Sequence, residues 1–530
     1  MGLQIKPLHD VLDYLDPRIE NKVKAFLGRI RAGQRTDFRT AIWDGKSREE
    51  VRDDVLSFAI KSGSSSFNDL ELSASNKFGS FSVRQPFDEV KEKVELYYQP
   101  KPFHIDEEVL AKAIIELSKL VPFGSLRATD VVTAYESSPK GTNWGLPFFS
   151  SDKRDYPRYL DLARQLEFRN YPIGDYWPCV LGVRSQPNQI GKPAKWRALH
   201  MASHVIVMEE LRIQRPLLNT LKRHPWFVAW NTPIDINRRA TSILQNSHGR
   251  AKLSSDFSSY DARLPREIIQ GVFSCIRNWF RSSDHQLIHW LEDCFLHVGI
   301  LCPDGYYTGR DGGVASGLGM TNLVDTLAQI LVDMIIAIIC DTRIEDAMYL
   351  GDDGVKLFSD EVTPEMYAEV CDLMNLSVSV DKSLYSDEEI DFLQRRHSLW
   401  YEKDNMNVGY RSFVRTACGV ISFEVFSDIS GYVLSLRGIQ QVEQCSDNPH
   451  FSEMVEWLYE GDDFLHRTAP IALLEKAGGV SRVEEALKIR SYPYNQRNIE
   501  ELADFETVRI INALRFMKRK EAKHSGLSVS

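Results

Sequence analysis

The sequence predicts a mixed α+β fold of several domain-sized units, with an antiparallel sheet in its second half. Three observations carry that reading. Two short apolar arms, Ala347-Met-Tyr-Leu350 and Val355-Lys-Leu-Phe358, flank Gly351-Asp352-Asp353-Gly354, which is a hairpin pattern. Apolar residues recur at helical spacing on both sides of it. The length of 530 residues suits about three to four domain-sized units.

Composition narrows the class. Hydrophobic residues make up 43% and charged residues 26%, the balance of a globular protein and not of a disordered one. A formal charge of −10 argues against a protein that coats nucleic acid with its outer surface. It leaves room for a basic lining inside an acidic shell. The eight cysteines (179, 275, 294, 302, 340, 371, 418, 445) form no C-x-x-C pair and no zinc-like spacing, so reduced core thiols are expected. The start, Met1-Gly2-Leu3-Gln4-Ile5-Lys6, has no apolar h-region, and Lys6 stands where a myristoylation signal needs Ser or Thr. The most apolar run, residues 327–340, is short for a bilayer and carries Asp333. A soluble, cytosolic-type protein without a membrane partner is expected.

Element by element, the first sixty residues are charged and predict helices, with Asp53-Asp54 on a solvated helix face. Ser62-Gly63-Ser64-Ser65-Ser66 reads as a linker or surface loop. Residues 78–83 alternate like a strand, residues 106–120 have helical spacing, and the Gly and Pro content of 142–193 predicts loops around short strands. A strand-like piece ends at Asp256. Pro265 then opens a helix with Ile268, Ile269, Val272, Phe273, Ile276 and Phe280 at helical spacing. A Gly-rich loop over 312–319 leads into a helix that aligns Leu323, Leu327, Ile330, Leu331, Met334 and Ile338. After the hairpin, Thr363-Pro364 caps another helix and residues 376–380 read as a strand. Beyond Leu393 the chain is expected to be mainly helical. It ends in a basic tail of Arg515, Lys518, Arg519, Lys520 and Lys523.

The informative triplet is Asp256-x-x-x-x-Asp261, Ser316-Gly317-x-x-x-Thr321 and Gly351-Asp352-Asp353, in that order. Gly-Asp-Asp alone says little, because acids favour turns. The second copy, Gly461-Asp462-Asp463, follows Met454, Val455, Trp457 and Leu458 at helical spacing and reads as a helix end with solvated acids. The first copy lies between strand-like arms. Phosphodiester synthesis needs an activated 3′-oxygen and a neutralised pyrophosphate, which two metals roughly 3.5–4 Å apart provide. Magnesium uses one or two carboxylates plus substrate phosphates. Bare carboxylates about 4 Å apart repel by roughly 4 kcal/mol at an effective dielectric of 20, so their convergence would favour a metal site over mere structure.

Asp256-Phe-Ser-Ser-Tyr-Asp261, Ser316-Gly-Leu-Gly-Met-Thr321 and Tyr349-Leu-Gly-Asp-Asp353 resemble motifs A, B and C of viral RNA-dependent RNA polymerases. Over most of its length the chain is similar to the enzymes of picobirnaviruses, double-stranded RNA viruses related to partitiviruses. The resemblance implies a right-hand fold of fingers, palm and thumb, with an antiparallel palm sheet and a ring closed by fingertips or an N-terminal extension. By it, 1–70 would be the bridging extension, 71–245 fingers, 246–264 palm, 265–312 a fingers insertion, 313–400 palm, and 401–530 thumb and tail. It implies that Asp256 and Asp352 hold two Mg2+ ions, with Asp353 assisting and Mn2+ able to substitute.

Further assignments follow from the resemblance and from residue chemistry together. A carboxylate at Asp261 accepts a hydrogen bond from a ribose 2′-hydroxyl, where a reverse transcriptase would place an aromatic ring. The family's Asn partner position holds Asp325 here, and Asn322 lies nearby. Asp325 reads equally well as a helix first-turn acid favoured by the macrodipole. Ser316 and Thr321 read either as nucleotide contacts or as loop and N-cap residues. Arg184, Lys192, Lys195 and Arg197 resemble motif F, the basic roof over incoming triphosphate, and alternating basic residues also suit a solvated strand face. Arg197 can grip phosphate bidentately. Lys382 matches the motif D proton donor, and a surface lysine is the plainer alternative. Thr142, Gly145 and Pro147 resemble the template-guiding motif G. Phe392 and Arg395 belong to a motif E-like primer grip.

The sequence therefore predicts an RNA-directed RNA polymerase that binds template, product and ribonucleoside triphosphates, replicating and transcribing a genome in the virion interior or host cytoplasm with capsid protein as a partner. A reverse transcriptase is disfavoured by Asp261, and an inactive RNA-binding relative by the intact aspartate set. The long region after motif E leaves room for a priming loop, so initiation without a primer is expected. The basic tail is expected near the RNA exit or active-site cavity, a solvated helix end being the alternative.

Overall fold

The computed structural model of the chain describes residues 2–60, 65–139, 142–424, 429–487 and 497–524. Residues 62–64 of the expected linker lie outside these. Ser65 and Ser66 open the helix Ser65–Ser75.

Two sheets organise the first four hundred residues. One is four-stranded and antiparallel, ordered Leu384–Ser386, Lys252–Ser255, Asp353–Phe358, Ile344–Leu350. The predicted hairpin forms its last two strands. The other has five strands, ordered Gln4–Lys6, Gly305–Thr308, Ile300–Cys302, Cys179–Gln186, Lys195–Met201. Its one parallel pairing joins Cys179–Gln186 to Ile300–Cys302. The helix Thr321–Ile339 packs against the hairpin strand Ile344–Leu350. It is long and apolar enough to cross a membrane, yet 78% of its apolar window is buried inside the protein, as for a core helix. The described cysteines are all free, and only Cys340 is not fully buried.

The N-terminal segment serves two cores. Gln4–Lys6 adds an edge strand to the five-stranded sheet, and Leu12, Val23 and Leu27 join the largest apolar cluster. Ile42, Val51, Val55 and Phe78 instead pack with Phe413, Leu436, Leu458 and Ile511 of the C-terminal helices. Polar anchors fix this second contact. The buried Glu71 carboxylate accepts from the Phe413 and Val414 backbone N–H groups (2.8 and 3.0 Å) and from Ser412 Oγ (2.7 Å), satisfying the start of the helix Phe413–Ile421.

Several expectations need correction. Residues 78–83 form no strand, because Ser80 Oγ and Ser82 Oγ bond the Asp37 carboxylate instead of serving a sheet ladder. The region 142–193 contains the helix Tyr156–Phe168, with Pro157 in its first turn, where proline costs nothing. The strand at 376–380 shrinks to Ser377–Val378 before a 3-10 turn. Beyond Leu393 the helices start only at Phe413, after the strand Arg395–Ser398 and irregular chain. In the second Gly-Asp-Asp, Asp463 is exposed as expected, but Asp462 is buried and caps the helix Asp463–Arg467 by accepting from the Phe464 N–H. The basic C-terminal helix is no free tail at its base: Arg515 is buried and donates to the Leu465 carbonyl, and Lys518 Nζ lies 4.9 Å over the Tyr459 ring. The Lys523 side chain lies outside the described residues.

Candidate active site

Strand register brings the first and third motifs together. Ser255 pairs with Gly354 across the sheet, so Asp256, one residue beyond its strand, emerges beside the turn of Asp352 and Asp353. The Asp256 N–H donates to Ser383 Oγ (3.2 Å), and its carbonyl accepts from the Ser379 N–H (2.8 Å). Gly351 turns the hairpin at φ +65°, a left-handed conformation that favours glycine. Its N–H donates to Thr326 Oγ1 at 2.7 Å, and Gln329 Nε2 donates to the Asp352 carbonyl at 3.0 Å. Thr326 and Gln329 stand three apart on the helix Thr321–Ile339, so one face grips the turn from below.

Side-chain electrostatics mark a crowded negative cluster. Asp256 and Asp352 are both open to solvent. The surrounding protein raises Asp352 above the usual carboxylate range, with Arg197 opposing and Asp256 adding. Enclosure pushes Asp353 up to about 7, aided by Asp352 and Asp256 and opposed by Arg415. Asp261 is likewise pushed up to about 7 by enclosure and by Asp352, with Arg197 opposing. Asp325 rises further, through burial, Asp261 and Asp352. It is buried, with one carboxyl oxygen lacking a partner, so it is no solvated first-turn acid. Asn322 lies beside it, its Oδ1 unpartnered and 3.6 Å from where a β-carbon on Gly351 would stand.

These oxygens fit hard divalent cations, whose charge would relieve the strain of like charges held together. No group of three or more His, Cys, Asp or Glu side chains is drawn into a ready-made metal cage among the described residues. Magnesium does not need one, since substrate phosphates complete its shell.

Cations face the cluster. Lys382 Nζ lies 3.9 Å from Asp256 Oδ2, both groups partly exposed. Lys195 and Arg197 share the exposed side of their strand, and Arg197 is the one that acts on Asp261 and Asp352. Arg184 is its cross-strand partner, whereas Lys192 sits in an exposed turn. Sequence reasoning missed two further cations. Burial holds Lys77 below the usual lysine range, helped by Lys195, Arg415 and Lys382 and opposed by Asp256. Burial also lowers Arg415, where Cys418 and Asp353 oppose and Arg197 adds.

The second motif is a loop held from several sides. Ser316 Oγ donates to the Ala198 carbonyl (3.1 Å) and Thr321 Oγ1 to the Ala315 carbonyl (2.8 Å), so both hydroxyls tie the loop. Thr321 is the first helical residue and not the cap, which is Met320. The fully buried Glu210 accepts from the Gly319 and Met320 N–H groups (2.6 and 3.2 Å), a clamp that sequence reading missed inside an apolar helix. Buried Tyr97 feels Asp261 and Asp325 from the other side.

The remaining assigned residues are mostly buried or bonded within the protein. Gly145 and Pro147 are buried, with Trp144 stacked between Tyr156 and His204 (3.8 and 4.3 Å between centroids), and Thr142 is half-buried. Phe392 is core beneath the hairpin, packed with Leu350, Val355 and Ile390. Arg395 spends its guanidinium on the Gly409 and Gln444 carbonyls (2.9 and 3.0 Å). A hairpin does form at Glu389–Phe392 and Arg395–Ser398, at the position expected for the motif E-like element.

Comparison with known proteins identifies the family and the fold. The family model for viral RNA-dependent RNA polymerase matches residues 116–406. The chain is 24% identical over 470 residues to a potential RNA-dependent RNA polymerase of human picobirnavirus, covering 83% of this chain and 85% of that one. It is 23% identical over 338 residues to the RNA-directed RNA polymerase of Cryptosporidium parvum virus 1, covering 58% and 62%. The crystal structure of a human picobirnavirus RNA-dependent RNA polymerase superposes with a TM-score of 0.79 at 21% identity, over 94% of this chain and 100% of that chain. An insertion-loop deletion mutant of such an enzyme gives 0.77 at 20% identity, with the same coverage. These likenesses establish the right-hand fold.

Proposed function

The chain belongs to the viral RNA-dependent RNA polymerases, and from that premise we propose that ribonucleoside monophosphates are joined to an RNA 3′-end at the cluster of Asp256, Asp352 and Asp353. Its substrates are RNA and nucleotides, as for any enzyme of this class. Divalent metal ions are general to the family, and Asp256, Asp352 and Asp353 are the residues that would hold Mg2+, or Mn2+ in its place. When bound, two such ions neutralise charge on the attacking 3′-oxygen and the departing pyrophosphate.

The chain's own groups account for the rest. Arg197, with Lys195 beside it on the strand, grips triphosphate oxygens; Arg184 and Lys192 are outer contributors to the same positive field. Lys382 Nζ, within reach of Asp256, delivers a proton to a pyrophosphate oxygen, help worth typically about 10²–10⁴-fold. Asp261 accepts a hydrogen bond from the ribose 2′-hydroxyl, flanked by the unpartnered oxygens of Asp325 and Asn322. Ser316 and Thr321 shape the loop against which the nucleotide lies, and Thr142 borders the template path.

The single observation behind this reading is the register of Ser255 against Gly354, which brings carboxylates distant in sequence to one cleft floor. The test is magnesium-dependent ribonucleotide incorporation on an RNA template. Asp352→Ala should abolish it while the protein stays folded, and undiminished synthesis by that variant would end the assignment.

Three finer points belong to the same proposal. Residues 1–70 bridge fingers and thumb, and 401–530 form the thumb, a division supported by the apolar cluster that joins Ile42 and Val51 to Phe413 and Leu436. Synthesis starts without a primer, and a strict need for an added oligonucleotide would reject this. The enzyme works inside the particle or in host cytoplasm, with capsid protein as its partner.

A further inference from the structure

Beneath the hairpin lies a polar knot that the reaction does not use directly. Lys356, in the strand Asp353–Phe358, is fully buried. Its Nζ donates to Ser255 Oγ (2.8 Å) and to the Tyr367 hydroxyl (3.1 Å), and it lies 3.3 Å from Asp333 Oδ2. Tyr367 in turn donates to Asp333 Oδ1 (2.5 Å). Neither charged side chain has any exposed surface.

The position of the knot is what gives it meaning. Ser255 immediately precedes Asp256, Lys356 stands three residues after Asp353, Asp333 lies on the helix that grips the turn through Thr326 and Gln329, and Tyr367 lies on the helix Pro364–Asp372. Thr326, Gln329 and Asp333 follow at spacings of three and four, one polar stripe along the helix. Four separate elements thus meet at one ammonium. A buried ion pair is a poor source of stability, because desolvation offsets attraction, and an apolar pair of equal volume usually does as well. What such a pair does supply here is a fixed geometry, since the ammonium is held at once by two hydroxyls and by the Asp333 carboxylate.

We propose that Lys356, with Asp333, is a positioning pair that sets the spacing between Asp256 and the Asp352–Asp353 turn, and so the quality of the metal-binding floor. The inference rests on the reading of that floor as the site of nucleotide transfer. Lys356 touches no substrate; it acts through Ser255 and the strand ends.

The test compares the full-length wild type with Asp333→Leu/Lys356→Met, and with the milder Ser255→Ala and Tyr367→Phe, which remove one hydroxyl each. Four quantities are measured: melting temperature, kcat, KM for nucleotide, and the Mg2+ concentration giving half-maximal rate. The double variant should melt near the wild type yet lose roughly 10–100-fold in kcat, as small misplacements and lost outer-shell partners do. Its half-saturating Mg2+ should rise while KM for nucleotide stays within about twofold of wild type, the groups that hold nucleotide being untouched. The single variants should move kcat and Mg2+ dependence in the same direction, by less. A folded double variant with wild-type kcat and Mg2+ dependence overturns the proposal, whatever its melting temperature. If the double variant does not fold, the two single variants decide: unchanged kinetics in both overturns it, and a shared shift supports it. Failure of the underlying site reading has a different signature, namely full synthesis by Asp352→Ala.

Discussion

Gly317 lies so close to His200 that a β-carbon at 317 would stand 1.7 Å from the His200 carbonyl oxygen. Glycine is required there by space, since its φ is not in the left-handed region. The approach presses the second-motif loop onto the strand Lys195–Met201, the same strand that carries Arg197. Gly317→Ala should force loop and strand apart. We expect a loss of about 1–3 kcal/mol in stability, as for other overpacked sites, and a larger proportional loss of ribonucleotide incorporation. Thermal melting and initial rates on one RNA template check both.

A second prediction concerns ring closure. Glu71 satisfies two helix-start N–H groups and the Ser412 hydroxyl from a segment some 340 residues away in sequence. Glu71→Ala leaves these donors buried without acceptors, at a cost of about 1–3 kcal/mol. Hydrogen exchange should quicken first in Ser65–Ser75 and Phe413–Ile421, ahead of the sheet that holds Asp352. Uniform quickening across the molecule would count against this local role.

What the sequence made legible was local. The hairpin, the Gly-rich loop and its helix each announce themselves within twenty residues, and their order carried the family resemblance. The cations Lys77 and Arg415 and the clamp Glu210 were not legible, because each comes from a distant segment with no periodic signal of its own. The burial of Phe392, Gly145 and Pro147 and the internal bonds of Arg395 were not legible for a different reason: a motif gives residue type and spacing but not which side of the backbone faces solvent. Lys356 was visible as a charge inside the apolar arm Val355-Lys-Leu-Phe358, and Asp333 as a charge inside an apolar helix. Only the fold reveals that the two charges answer one another.

Sugar choice gives a third prediction. In the proposed reading Asp261 accepts from a ribose hydroxyl, and removing it takes away an interaction that a deoxyribonucleotide cannot make. Asp261→Ala should lose ribonucleotide kcat/KM by about tenfold or more while deoxyribonucleotide use changes little, the loss of one hydrogen bond to a charged group being about 1.5–3 kcal/mol. Parallel single-nucleotide extension with the two substrates measures the ratio. An unchanged ratio would remove Asp261 from sugar selection and leave the role to Asn322 and Asp325.

The last prediction is pH dependence of stability. His200 is fully buried against Tyr97, with ring centroids 4.7 Å apart, and neither of its ring nitrogens has a hydrogen-bond partner. Burial holds its pKa down at about 3, and the Arg310 charge adds to the effect. An unfolded histidine titrates near 6.5. Below that value the unfolded chain takes up a proton that the folded chain refuses, so stability is fully present above pH 6.5 and falls steadily as pH drops toward 3. The slope for one such group approaches about 1.4 kcal/mol per pH unit once pH is well below 6.5. Buried Glu209 and Glu210, pushed up to about 7 and about 8 chiefly by burial, work the other way, since the folded chain binds their protons more tightly and gains stability as pH falls from those values toward 4.5. Wild-type stability alone therefore mixes the two signs, and the histidine is isolated by a variant. His200→Leu keeps an apolar group against Tyr97 and removes the titration. Relative to wild type it should gain roughly 1 kcal/mol between pH 6.5 and pH 5.5, whatever its offset at pH 7.5. Denaturant unfolding at those three values measures the difference, and parallel wild-type and variant curves would mean that His200 is protonated in the folded protein after all.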